Sequence, residues 1–201
     1  VSRREVLLNP GPVNVSDRVR DALLRGDMCH REPEFQDLMS RVRAKLARLL
    51  APAGTHVAVL LTGSGTSAVE AMVTSAVAPG KKLAVVRNGV YGDRIAEIAH
   101  RAGIETVEVE APWTEPPDVA AVARALDDPA VGGLAAVHHE TTTGLLNPVR
   151  EWGALCRARG KTFAVDAVSG MCGDDLDLDG WSIDLVAGTA NKCIQGLPGI
   201  S

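Results

Sequence analysis

Two side chains stand where chemistry would be done. Lys192 follows the apolar run Leu185, Val186, Ala187 within "DLVAGTANKCIQGLPG". A buried strand has little use for a lysine near its exit unless an amine is wanted there. Partial desolvation lowers an ammonium pKa toward neutrality and leaves a nucleophile that can form a Schiff base. Taken alone, such a lysine is more often a surface group. Asp166 ends a second apolar run, 162–165, and is either a helix cap or the partner of a cation. Upstream, Thr62-Gly63-Ser64-Gly65-Thr66-Ser67 leads from an apolar run into a helical stretch. Glycines, hydroxyls and the unpaired N–H groups of a fresh helix N-terminus make an anion cradle. The loop is neither a Walker A loop nor GxGxxG, because the Lys-Ser/Thr pair and the third glycine are absent. An ordinary capped turn stays open as the alternative. Asn88-Gly89-Val90-Tyr91-Gly92 carries the only tyrosine of the chain, either a stacking face for a planar ligand or a half-buried cap on the core. His138-His139-Glu140-Thr141-Thr142-Thr143-Gly144 is a dense polar run for a strand exit.

Each feature alone is ambiguous; jointly they ask for one ligand. A phosphate cradle, an aromatic platform, a polar loop, a strand-end acid and a strand-end lysine match the needs of pyridoxal 5′-phosphate. The cradle takes the phosphate and the aromatic ring stacks on the pyridine. The acid keeps the ring nitrogen protonated, and the lysine holds the aldehyde as an imine.

These residues need elements to position them. Residues 34–50 place Phe35, Leu38, Met39, Val42, Leu46, Leu49 and Leu50 at helical spacing. Short apolar runs at 56–61, 82–87, 105–111, 133–137, 161–167 and 183–188 read as strands, with helical patterns between most of them. Gly103 is placed to cap one helix; Pro148 opens another and Gly160 closes it. A proline-rich loop, "APWTEPPD", leads into a helix over 118–127. Strands separated by helices predict an α/β fold with a mostly parallel sheet and helices on both faces. In such sheets ligands sit beyond the carboxyl ends of the strands, where every feature above falls.

Composition narrows the classes. In 201 residues, 46% are hydrophobic and 23% charged, an ordinary balance for a globular domain that argues against disorder. Aromatics at 3% leave the core to Ala, Val, Leu and Gly, which suits a parallel sheet closely covered by helices. A net charge of −4 argues against a nucleic-acid partner. Arg41, Arg43, Lys45 and Arg48 cluster on one helix and read as its solvated face. Cys29, Cys156, Cys172 and Cys193 form no CxxC pair, so a structural zinc site and a disulfide framework are not expected, and reduced thiols in the cytoplasm are. No apolar run reaches the roughly 18 residues of a membrane span. The opening Val1-Ser2-Arg3-Arg4 runs into a short apolar, strand-like piece rather than a signal peptide.

The motifs, in order, resemble the class V aminotransferases of fold type I. The matching pieces are "LLNPGPVNVS", "GDMCHREPEF", "LLTGSGTSAVEA", "NGVYGDR", "HHETTTGLLNPV", "AVDAVSG" and "ANKCIQGLPG". The resemblance implies pyridoxal 5′-phosphate as cofactor, with Ser64, Gly65 and Thr66 at the phosphate and Tyr91 on the ring. It further implies Thr141 bonded to the cofactor, Asp166 on the pyridine nitrogen and Lys192 as the Schiff-base lysine. Asn9, Pro10, Gly11 and Pro12 would border the substrate pocket. Small-molecule amine and 2-oxo acid substrates and a homodimer follow from the same resemblance. "ANKCIQG" and "CHREPEF" narrow the implied activity to amino transfer from 2-aminoethylphosphonate to pyruvate. Alanine–glyoxylate or serine–pyruvate transamination, and a binding remnant without turnover, are the alternatives. A desulfurase would need a cysteine on a mobile loop, and Cys193 beside the lysine is badly placed for that. "VSGMCGDD" stands where members tend to carry Ser-Ser-Phe-Gly-Gly, a departure that bears on pocket packing and substrate choice. Members also run well past the lysine. Residues 1–201 are therefore expected to hold the N-terminal segment and most of the cofactor-binding large domain. A small C-terminal domain, with the arginine that grips the substrate's acid group, is expected outside them.

Overall fold

The structure is a computed structural model and describes residues 5–201. Residues 1–4, on which the absence of a signal peptide was argued, lie outside these, and residues 5–8 pair with no strand. The elements run α1 (Asp17–Asp21), a 3-10 turn (Ala22–Leu24), α2 (Pro33–Leu50), α3 (Gly65–Ser75), β1 (Lys82–Arg87), α4 (Val90–Arg101), β2 (Thr106–Glu110) and α5 (Val119–Asp127). They continue with β3 (Val131–Val137), β4 (His139–Glu140), β5 (Leu145–Leu146), α6 (Val149–Ala158), β6 (Thr162–Asp166) and β7 (Leu185–Ala187). Five strands form one parallel sheet in the order β2-β1-β3-β6-β7, and β4 and β5 make a small antiparallel pair beside it.

The strands are continuous apolar runs because both faces of the sheet are covered, so neither side can be polar. Along β1, Leu83 and Val85 face a core shared with α3 and α4, through Val69, Met72, Val73, Ile95 and Ala99. Ala84 and Val86, one step out of phase, face the other core, built from α5 and α6 through Val122, Leu126 and Trp152. That alternation is the two-residue period of a strand. Trp152 and Phe163 are fully buried. Truncating Phe163 to alanine is expected to cost about 3–5 kcal/mol.

Helix ends follow the predicted punctuation. Gly103 and Gly160 have φ of 73° and 59° just past their helices, a left-handed turn that glycine adopts without steric penalty. Pro148 is the N-cap of α6. Arg41, Arg43, Lys45 and Arg48 are exposed on α2.

One predicted strand is not formed. Residues 56–61 lie outside the sheet, and Val57 and Val59 are 79% and 68% exposed. Its one ladder-type contact among the described residues is the antiparallel bridge Thr62 to Ile200, flanked by reciprocal bonds between Leu61 and Ser201 at 2.8 and 3.0 Å; side chains tie it further, Arg43 Nε donating to the Ala58 carbonyl at 2.6 Å and His56 Nε2 lying 2.7 Å from the Ile183 carbonyl. An apolar run becomes a strand only when a neighbour takes its N–H and C=O groups. Among the described residues no strand pairs with 56–60. No helix among the described residues is long and apolar enough to cross a membrane.

Candidate active site

The sheet order places β1 and β3 side by side, while the chain leaves β1 toward β2 and returns past it to β3. That reversal opens a crevice at the carboxyl ends of β1 and β3. The polar motifs gather at this rim: 88–92 after β1, 138–144 after β3, Asp166 at the end of β6 and 188–192 after β7.

The cradle begins at Ser64, the N-cap of α3, with extended φ −86° and ψ 167°. Its carbonyl accepts from the Ser67 and Ala68 N–H groups at 2.9 and 3.4 Å, while its hydroxyl caps nothing. Among the described residues no group takes the N–H of Gly65 or Thr66, so the helix N-terminus presents donors to the rim. Gly65 is buried, and a Cβ there would stand 2.9 Å from both γ carbons of Val168. Glycine lets the cradle lie directly on the loop that follows Asp166.

Tyr91 is the second residue of α4, half-buried, with its ring packed on the α3–α4 core. The Arg94 guanidinium lies 4.9 Å from the ring centroid, one helical turn along. Thr141 sits half-buried at the start of the turn between β4 and β5.

Asp166 is 5% exposed. Its Oδ1 accepts from the Val168 N–H at 2.9 Å, and among the described residues nothing donates to Oδ2. Burial, reinforced by the Glu140 carboxylate, pushes its carboxyl up to about 6, while the Val168 N–H, Arg94 and Lys192 pull it down. A desolvated acid with one free oxygen suits a cationic N–H donor. The Lys192 amine donates to the Pro10 carbonyl at 2.9 Å. Gly11, at φ 131°, packs so closely on Lys192 that a Cβ there would stand 2.7 Å from Nζ. The Val13 N–H to the Asn191 carbonyl, at 3.2 Å, ties this N-terminal segment to the lysine loop. Pro10 and Gly11 therefore border the lysine.

The free helix N-terminus, the glycine-lined contact on Val168, the buried acid with an open oxygen and the tethered amine fit pyridoxal 5′-phosphate as a set. A hollow of about 430 Å³ lined by Arg157, Lys161, Thr162 and Asp184 lies at the amino end of β6, the wrong end of the strand for these groups.

The structure also sorts residues that sequence reasoning left together. His138 is a core residue: burial lowers its pKa, and its ring meets Trp181 edge-on at 6.3 Å between centroids. His139 Nδ1 pairs with Asp174 at 2.7 Å. Asn88 and Asn147, not singled out from sequence, are buried and bonded to each other at 2.8 Å, and Asn147 also donates to the Val137 carbonyl. Arg94 could have been found from its place three residues after Tyr91. Glu140 could not, because nothing local separates it from its polar neighbours.

A family model described as aminotransferase class-V matches residues 17–201. The chain is 42% identical over 196 residues to a 2-aminoethylphosphonate–pyruvate transaminase of Vibrio vulnificus, covering 96% of this chain and 53% of that protein. The chain thus spans about half the length of the curated relatives it matches. Among solved structures, a pyridoxamine–pyruvate aminotransferase from Mesorhizobium loti superposes with a TM-score of 0.89 at 30% identity, over 99% of this chain and 50% of that one. An alanine–glyoxylate aminotransferase from Nostoc sp. gives 0.89 at 31% identity, over 100% and 54%.

Proposed function

The chain belongs to the class-V aminotransferase family, and from that premise we propose that the protein carrying it moves the amino group of 2-aminoethylphosphonate to pyruvate, giving phosphonoacetaldehyde and alanine. The observation that carries the reading is the gathering of Lys192, Asp166 and the α3 N-terminus at one rim of the sheet. The substrates are those for which the Vibrio relative is named.

Bound pyridoxal 5′-phosphate would supply an electron sink for charge left on the substrate carbon. Each residue has a task around it. Ser64, Gly65 and Thr66 hold the phosphate on free N–H and hydroxyl donors. Tyr91 offers a ring face, and Arg94 supports that ring through its cation–π contact. Thr141 offers a hydroxyl to the cofactor. Asp166, with Oδ2 unoccupied, holds a proton at the pyridine nitrogen. Lys192 would hold the cofactor covalently, and its Nζ, once freed of that bond, would move a proton away from the substrate carbon. Residues 1–201 make up the N-terminal segment and most of the cofactor-binding domain, and the protein is a cytoplasmic homodimer.

Alanine–glyoxylate transamination is the second reading, favoured by the superposition of all of this chain on 54% of the Nostoc enzyme. The full protein is incubated with pyridoxal 5′-phosphate, reduced with borohydride and mapped by peptide mass, then assayed with 2-aminoethylphosphonate, alanine and serine as donors. The proposal expects one pyridoxyl phosphate on Lys192 and the fastest turnover with 2-aminoethylphosphonate. Label at Lys192 with faster turnover of alanine moves the reading to the second activity. No label on a folded protein leaves a binding remnant.

A further inference from the structure

Glu140 is the buried carboxylate the mechanism does not use. Its exposure is 0%, and among the described residues no lysine or arginine pairs with it. A carboxylate in that position is normally paired, or absent. Here it is satisfied by backbone and hydroxyl donors from two segments. Oε2 accepts from the Gly92 N–H at 3.3 Å, in the first turn of α4. Oε1 accepts from the Thr142 N–H at 3.2 Å and from the Thr142 hydroxyl at 2.6 Å. The Thr142 Oγ1 in turn accepts from the Val90 N–H at 3.2 Å. The Glu140 carbonyl closes its own turn by accepting from Thr143 and Gly144 at 3.2 and 2.8 Å.

Tyr91 thus sits between two residues, Val90 and Gly92, whose N–H groups are both held by the 140–142 segment. Thr141 sits between the two residues that do the holding. The negative charge also lies at the N-terminal, positive end of the α4 dipole. Sequence has made room for this. Gly89 is extended, so its φ needs no glycine, but a Cβ there would collide with the Glu140 side chain, standing 2.6 Å from Oε2.

We propose that Glu140 is a positioning residue that clamps the ring platform Tyr91 and the Thr141 loop to each other, fixing the tilt and seat of the cofactor ring between them. The inference rests on the proposed use of pyridoxal 5′-phosphate and assigns a role to a residue outside that chemistry. Glu140 touches neither substrate nor cofactor; it acts through the Gly92 and Thr142 bonds. Its charge contributes second, by opposing ionisation of Asp166.

Glu140→Gln keeps the shape but turns an amide N–H₂ against donors that need an acceptor. Thr142→Val, at an exposed position, removes the hydroxyl link and leaves the Glu140–Gly92 bond in place. Both are made in the full-length protein. Three quantities are read: the Kd for pyridoxal 5′-phosphate, the induced circular dichroism of the cofactor band per bound molecule, and the melting point without cofactor. Glu140→Gln is expected to weaken binding about tenfold, as a buried donor left unpaired would, and to reduce the induced dichroism. Thr142→Val is expected to shift both in the same direction by less. Weaker binding that follows only a lowered melting point, with unchanged dichroism per bound molecule, overturns the proposal. So do wild-type Kd and dichroism in both variants. Wild-type protein that traps no cofactor on Lys192 overturns the parent reading and this one with it. Trapping in wild type with unaltered variants overturns this one alone.

Discussion

The candidate site has two halves built in opposite ways. One half hangs from the core sheet: Asn88, Glu140 and Asp166 are at most 5% exposed, and each is bonded to backbone or to another buried side chain. The other half joins two loops. Lys192 holds one carbonyl, that of Pro10, and rests on Gly11, while its neighbours Cys193 and Gln195 are exposed. Apolar residues of the N-terminal third of the chain are similarly open: Leu8, Leu24 and Val57 are 94%, 85% and 79% exposed. The difference matches the chemistry proposed for each half. An acid that must hold one proton at one atom gains from rigid, desolvated placement. An amine that must be released, take a proton and return it needs one weak tether and room to move.

Replacing Lys192 tests the open half hardest. Lys192→Ala is expected to lower kcat about a thousandfold or more and to abolish borohydride labelling. Turnover by this variant within about tenfold of wild type, without added amine, would remove Lys192 from the mechanism. Asp166→Asn tests the rigid half and should act in two directions. The kcat/KM should fall about a hundredfold or more, as for other lost electrostatic contacts in a desolvated site. Stability without cofactor should rise. The folded carboxyl is pushed up to about 6, above its unfolded value, so the wild-type folded state prefers the proton. Its favourable contribution is complete below pH of about 4 and is lost as pH rises through about 6. Asparagine avoids that loss, so above pH of about 6 the variant should be more stable by on the order of 1–3 kcal/mol. Urea midpoints for both proteins at pH 4 and 7.5 read this. An equal difference at the two values would mean that burial of Asp166 is not the cause.

Two glycines sharpen the contrast with smaller effects. Gly65→Ala forces a Cβ to 2.9 Å from both Val168 methyls inside the packed half. It should cost about 1–3 kcal/mol, seen as a lower melting point. Gly11→Ala forces a Cβ against Lys192 in the open half. Its loops can shift, so the melting point should move by about 2 °C or less while kcat falls about tenfold. If Gly11→Ala lowers the melting point more than Gly65→Ala does, the two halves are not built as differently as their burial indicates.

The alternation of strand and helix was legible in the chain because each face of a parallel sheet imposes its own two-residue period. Residues 82–87 form the predicted strand with the same bounds. Glycine and proline marked helix ends because those positions need a left-handed turn or a missing N–H. The run 56–61 has the same apolar character and did not become a strand, since pairing depends on a neighbour that local pattern does not reveal. Tyr91, Asp166, Lys192 and the loop holding Ser64, Gly65 and Thr66 could be singled out by residue type at strand exits, whereas Thr141 was separated from Thr142 and Thr143 only by the family resemblance.

Sequence by itself therefore determined the fold class, the rim where polar residues collect and the chemical types presented there, because those follow from periodicity and side-chain chemistry over short spans. Tertiary structure alone decided which of those residues meet. It set Lys192 on Pro10, laid the Gly65 cradle against Val168, and turned Glu140 inward to hold the Tyr91 turn. These are contacts between segments far apart in the chain, and their geometry is set by how the strands order in the sheet.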